Sequence, residues 1–87
     1  MLTVYSKQHC PFCDRAKALL KHKSIPFEEI RIDENEDARE FILGKGHRTV
    51  PQIYYKGNLF VEGGFQGLSK LTETDIRERM NTNLGTT

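Results

Sequence analysis

The sequence has little cysteine, no tryptophan, almost no net charge and no long apolar run, and these shortages remove whole classes of function. Two cysteines in 87 residues are too few to staple a secreted mini-protein through distant loops. A formal net charge of +1 excludes a strongly basic nucleic-acid binder. No stretch approaches the roughly 18–20 apolar residues that a bilayer span requires. Met1-Leu2-Thr3-Val4-Tyr5 lacks the charged start and long apolar segment of a secretion signal, so a cytosolic protein is expected. With 37% hydrophobic and 29% charged residues of mixed sign, the composition is that of a folded globule and not of a disordered tail. The length fits one domain over residues 1–87, with a modest core and shallow sites.

The charge that is present is unevenly distributed. Residues 1–27 carry five Lys/Arg against Asp14 alone. Residues 28–40 carry seven Asp/Glu against Arg31 and Arg39, and residues 41–58 return to a surplus of three positive charges. If the two positive blocks meet in space they make a field that favours a small anion, whereas the acidic block is expected to face solvent.

Leu2-Thr3-Val4-Tyr5 alternates and is β-branched or aromatic at positions 3 to 5, the pattern of a first strand, followed by a polar loop from Ser6 to His9. Pro11 suits the first position of a helix, and Phe12, Ala16, Leu19 and Leu20 recur at helical spacing to about Lys23. Ser24-Ile25-Pro26 ends that helix, and Phe27 to Ile32 resumes a strand. A strand, helix and strand within some thirty residues form a βαβ unit with two parallel strands. Acids from Asp33 to Glu36 open a short helix over Ala38, Phe41 and Ile42, stopped by Gly44 and Gly46. Pro51–Lys56 and Leu59–Glu62 read as an antiparallel pair around a Gly57-Asn58 turn. Gly63-Gly64 breaks the pattern, Leu68 and Leu71 begin a further helix, and Thr72 or Thr74 restarts it with Ile76 and Met80 on one face. Asn83 to Thr87 should fray. The order βαβαββα fits an α/β, thioredoxin-like fold: a four-stranded mixed sheet flanked by helices.

The chemistry concentrates in Cys10-Pro11-Phe12-Cys13. This spacing across the first turn of a helix lets the two sulfurs form a disulfide without moving the backbone. Cys10 falls at the helix N-cap, where free N–H groups and the positive helix end stabilise a thiolate and draw its pKa below the usual value of about 8.5. Cys10 is thus the nucleophile and Cys13 the resolving thiol, with the cationic Lys7 one loop away. The competing structural role, a zinc site completed by His9, His22 or His47, lacks the usual paired spacing, and these histidines read as ordinary surface residues. His9, when protonated, could still tune Cys10. Thr49-Val50-Pro51 admits two readings: Pro51 simply initiates a strand, or a cis bond turns the Val50 backbone towards the Cys10 loop to pair with an extended peptide. Gly63-Gly64 before a helix lets backbone N–H groups approach an anion.

Lys7-Gln8-His9-Cys10-Pro11-Phe12-Cys13, then Thr49-Val50-Pro51-Gln52-Ile53-Tyr54, then Gly63-Gly64, resemble in that order the glutaredoxins of the small dithiol type found in bacteria and phages. The resemblance implies a thioredoxin fold, a cis peptide before Pro51, and glutathione as co-substrate in a groove between the CxxC loop and Val50. It places Lys7 near the glycine carboxylate, Phe12 in the groove wall, Val50 against the cysteinyl unit, and Gly64 with its neighbours at the γ-glutamyl end. Thr49, Pro51, Phe65 and Gln66 complete that candidate set. One departure stands out: Phe65-Gln66 occupies the place where many glutaredoxins carry an acid for the γ-glutamyl ammonium. Gly64-Phe65 is also similar to redoxins that serve ribonucleotide reductase and draw electrons from thioredoxin reductase.

The expected activity is therefore glutathione-dependent thiol–disulfide exchange by a monomer, with no tightly bound cofactor and no metal. Disulfide-containing proteins are the partners, ribonucleotide reductase a candidate among them. The alternatives are a redoxin reduced by thioredoxin reductase and a non-enzymatic module that binds a metal or an iron–sulfur cluster. Against the cluster stands the CPFC sequence, in which Pro11 stiffens the loop, where cluster-binding relatives carry CGFS.

Overall fold

A computed structural model describes residues 1–85, with side chains as far as Asn81. The first strand, β1 (Leu2–Ser6), alternates as expected, with Leu2, Val4 and Ser6 buried. Helix α1 (Pro11–His22) starts on the proline, and Cys13, Ala16 and Leu20 line its buried face at i, i+3 and i+7. Strand β2 (Phe27–Arg31) ends one residue short of the expected Ile32. Helix α2 (Glu36–Gly44) opens on Asn35, whose side-chain oxygen accepts the Ala38 N–H at 3.0 Å. Strands β3 (Gln52–Tyr55) and β4 (Asn58–Val61) form the hairpin.

The turn of that hairpin lies one residue earlier than expected. Lys56 and Gly57 both take positive φ, at 52° and 81°, while Asn58 pairs with Tyr55. A two-residue turn needs left-handed backbone at its centre, and Lys56 accepts it so that Gly57 can fill the second position. Beyond the turn an irregularity between Ile53 and Tyr54 leaves Phe60 extra on β4. Phe60 and Val61 are consequently both buried.

The last segment corrects the expectation more strongly. Gly63-Gly64 does not break the chain before a later helix; it starts one. Gly63, at φ 85°, caps α3 (Gly64–Ser69), in which Leu68 is buried and which ends before Leu71. A separate helix, α4 (Glu73–Gly85), follows, so the order is βαβαββαα. Thr72 is its start signal: its hydroxyl accepts the Asp75 N–H at 3.0 Å and Asp75 accepts the Thr72 N–H at 3.1 Å. Of the end expected to fray, α4 continues to Gly85, and Thr86 and Thr87 lie outside the described residues.

The sheet order is β2-β1-β3-β4, with β1 and β2 parallel and the other two pairs antiparallel. Leu2, Val4, Ala16, Leu20, Ile53, Leu68 and Ile76 make the fully buried core. A second layer on α2 joins Phe41 to Tyr5 and Tyr54, with ring centroids 5.7 and 5.3 Å apart. The acidic block does not simply face solvent: Glu29 meets Lys17 at 2.8 Å and the Ser6 hydroxyl at 2.6 Å. Those two partners hold the Glu29 carboxyl below its ordinary pKa.

Candidate active site

Antiparallel pairing sets the end of β1 beside the start of β3, with Tyr5 opposite Gln52. The loops that extend these two strands, Lys7–Cys10 and Thr49–Pro51, are thereby brought to one end of the sheet. Cys10 Sγ lies 3.7 Å from the carbonyl oxygen of Val50, forty residues away in the chain. Because β4 returns antiparallel to β3, it delivers Gly63 and Gly64 to the same end.

Cys10 occupies the N-cap of α1 with extended backbone, φ −118° and ψ 96°, and its sulfur accepts the Cys13 N–H at 3.2 Å. The two cysteines are joined as a disulfide, their Cα atoms 5.2 Å apart. Cys10 retains 7% of its surface and Cys13 only 1%, so the N-terminal sulfur is the one that a reactant can reach. An N–H donor and a helix N-terminus on that same sulfur favour its anionic form after reduction.

A groove of about 520 Å³ lies at this end, lined by Phe12 of the turn between the two cysteines together with Thr49, Val50, Pro51, Gly64, Phe65 and Gln66. The Phe12 and Phe65 rings stand 6.2 Å apart, and the Arg15 guanidinium lies 5.4 Å over the Phe12 ring. Phe12 is nearly half exposed and, with the Phe65 ring beside it, gives the groove an apolar side. The Val50-Pro51 bond is cis. Gly64 is required where it stands: at φ 57° a Cβ would meet the Pro51 carbonyl oxygen at 2.6 Å. All the candidate groove residues are thus together except Lys7, which is exposed on the loop before Cys10 and does not line the groove.

Four residues of this end carried no local signal. His47, read as an ordinary surface histidine, lines the groove and shares a hydrogen bond with the buried Tyr54 hydroxyl at 2.7 Å. Burial raises the Tyr54 pKa above its usual value. Gln52 is buried and turns its amide back to the Thr49 carbonyl at 2.9 Å, bracing the Val50 loop. Gly67 lets α3 sit on the end of β4, since a Cβ there would fall on the Glu62 carbonyl. Glu62 is the one carboxylate among the groove-lining residues.

Among the described residues Lys7, Arg15 and Arg48 take part in no ion pair, whereas Lys17, Arg31 and Arg77 do. Of the two positive blocks, Arg15 reaches the groove through the Phe12 ring and Arg48 directly precedes the groove-lining Thr49, while no lysine or arginine side chain is itself among the described groove-lining residues. Among the described residues no group of three or more His, Cys, Asp or Glu side chains stands together as a metal site.

The glutaredoxin family model matches residues 2–60, which include both cysteines and the Val50 loop. The chain belongs to the glutaredoxin family. It is 48% identical over 52 residues to glutaredoxin 3 of Escherichia coli, a match covering 59% of this chain and 63% of that protein. It is 38% identical over 85 residues to a probable glutaredoxin of Synechocystis, covering 95% of this chain and 73% of the relative. Among solved structures it is similar to a buckwheat glutaredoxin–glutathione complex, with a TM-score of 0.71 and 25% identity over 92% of this chain and 76% of that one. Gln66 is neutral and lies beyond the residues that the family model matches. The groove's negative charge comes instead from Glu62, two residues before Gly64.

Proposed function

We propose that this glutaredoxin is a glutathione-dependent thiol–disulfide oxidoreductase. The observation that carries the reading is the Cys10 sulfur at a helix N-cap, 3.7 Å from the carbonyl oxygen of Val50, which lines a groove whose volume lies within the roughly 300–1,000 Å³ of small-molecule sites. In the reduced protein the Cys10 thiolate attacks a sulfur of a mixed disulfide, and the substrate thiolate leaves with the electron pair of the broken S–S bond. The Cys10–glutathione disulfide is then opened by a second glutathione, which leaves as oxidised glutathione, or by Cys13, which expels glutathione and closes the Cys10–Cys13 bond. Two glutathione thiols reduce that bond. The Val50 backbone is assigned to the cysteinyl unit of glutathione, Lys7 to its glycine carboxylate, and Thr49, Pro51, Gly64, Phe65 and Gln66 to the remaining contacts.

This reading takes the protein as a cytosolic monomer whose partners are disulfide-bearing proteins, with that of ribonucleotide reductase as a candidate. The neutral Gln66 favours a second reading, in which thioredoxin reductase is the electron source. Turnover of a glutathione mixed disulfide with glutathione and its reductase, set against turnover with thioredoxin reductase alone, separates the two. Activity only in the latter replaces the first reading with the second.

A further inference from the structure

The loop that presents Cys10 has no apolar anchor of its own: Lys7, Gln8 and His9 are all exposed. His9 is nevertheless held at φ 58°, in the left-handed region. That backbone costs a non-glycine residue about 1–2 kcal/mol and persists only where its surroundings impose it. The restraint comes from the far end of β2. The Ile32 N–H bonds to the Ser6 carbonyl at 2.8 Å, which carries the β1–β2 pairing past the strand end and lays Asp33 alongside the loop. The Asp33 carboxylate then accepts the Gln8 N–H at 3.2 Å. It is itself oriented by the Arg31 guanidinium, which donates to one oxygen at 2.9 Å and to the other at 2.7 Å. With both oxygens gripped, the carboxylate is a fixed acceptor and not a swinging one. Its pKa is drawn down to about 2 by Arg31 first and the Gln8 N–H second, so it stays an acceptor throughout the working pH range.

We propose that Asp33 is a positioning residue for Cys10: held by Arg31, its carboxylate pins Gln8 and keeps the loop in the one shape that sets the Cys10 sulfur on the Cys13 N–H. It touches no reactant and acts through the loop. The inference rests on Cys10 being the nucleophile but not on glutathione being the reductant. The sign of its effect distinguishes it from simple electrostatics. Removing a negative charge near a thiolate lowers that thiol's pKa. Releasing the loop takes the N–H donor and helix end away from the sulfur and raises it.

The experiment measures iodoacetamide alkylation of Cys10 against pH in the Cys13→Ser background, so that one thiol is read and no glutathione is needed. Lys7 and His9, the ionisable groups of the loop, are common to every variant. Asp33→Ala should raise the midpoint by about half a unit, which makes alkylation about threefold slower below it. Asp33→Asn, whose one amide oxygen can still accept the Gln8 N–H but whose NH2 cannot accept from Arg31, should move the midpoint less than Asp33→Ala does. A midpoint that falls in both variants, or that is unmoved in Asp33→Ala while thermal stability drops, overturns the proposal. Should Asp33→Ala fail to fold, amide exchange in the unaltered protein decides: the Gln8 N–H should be protected relative to that of Lys7, and equal exchange at the two refutes the clamp.

Discussion

Three glycines separate the cost of left-handed backbone from the cost of a steric clash, and one of them controls the groove. At Gly64 an added Cβ would lie 2.6 Å from the Pro51 carbonyl oxygen, whereas carbon and oxygen in contact prefer about 3.3–3.6 Å. The helix and the Pro51 loop must therefore part by about 0.8 Å. Gly64→Ala should cost about 1–2 kcal/mol for its φ of 57° and a further 1–3 kcal/mol, roughly, for the overpacking. Gly57 has φ 81° but open space around it, so Gly57→Ala should show only the backbone cost. Gly44, within α2 and equally unobstructed, should become more stable as alanine by up to about 1 kcal/mol. A domain of this size shifts its Tm by about 4–8 °C per kcal/mol, so circular dichroism melts should order the variants 44, parent, 57, 64. Turnover should follow a different order. Gly57→Ala and Gly44→Ala should leave it intact, while Gly64→Ala displaces the groove-lining Pro51 next to Val50 and should reduce it by on the order of 100-fold. Equal melting of the Gly64 and Gly57 variants, with both fully active, would refute the close approach of α3 to Pro51.

Cys10→Ser should abolish thiol–disulfide exchange, whereas Cys13→Ser should keep deglutathionylation of small substrates, since only the resolving step is lost. Equal loss in both, measured as rates on a glutathionylated peptide, would remove the assigned roles. Gln66→Asp should lower KM for glutathione with kcat nearly unchanged, because a carboxylate meets an ammonium with a charge-assisted bond about twice as strong as an amide's. Glu62→Gln should raise KM, and unchanged KM in both would place the ammonium elsewhere. Stability should also fall in acid: Glu29, Asp33 and Asp75 all have lowered folded-state pKa values. Their contribution is complete above the ordinary carboxylate range, near pH 4, and is lost as pH drops through it towards 2. A melting temperature unchanged between pH 6 and pH 2.5 would contradict that linkage.

What was legible from the amino acids alone is what neighbours in the chain decide. Pro11 after a polar loop starts a helix whatever surrounds it, and the spacing of Cys10 and Cys13 across that first turn already specified a closable pair with the N-terminal sulfur at the cap. The parallel β1–β2 unit followed from a strand, helix and strand too short to connect otherwise. Where two local patterns competed, the sequence was silent. Lys56-Gly57 and Gly57-Asn58 are both acceptable turns, and the choice went to the register that places Phe60 beside Tyr55, their rings 6.2 Å apart. The glycines at 63, 64 and 67 look like helix breakers, because helix propensity counts the flexibility of glycine but not the carbonyls of Pro51 and Glu62 pressed against it.

The sheet order β2-β1-β3-β4 was decided only in three dimensions, and the site depends on it. Hydrophobic alternation tells each strand which face to bury but not which neighbour to choose, since many pairings bury the same side chains. Once β3 lies antiparallel to β1, the Val50 loop must face Cys10. His47, Gln52 and Glu62 are then carried to the same end of the sheet by elements whose own patterns speak only of turn and strand. The place of Cys10 at the helix N-cap is set by its immediate sequence, whereas the groove beside it is assembled from segments up to about fifty residues apart and exists only in the folded chain.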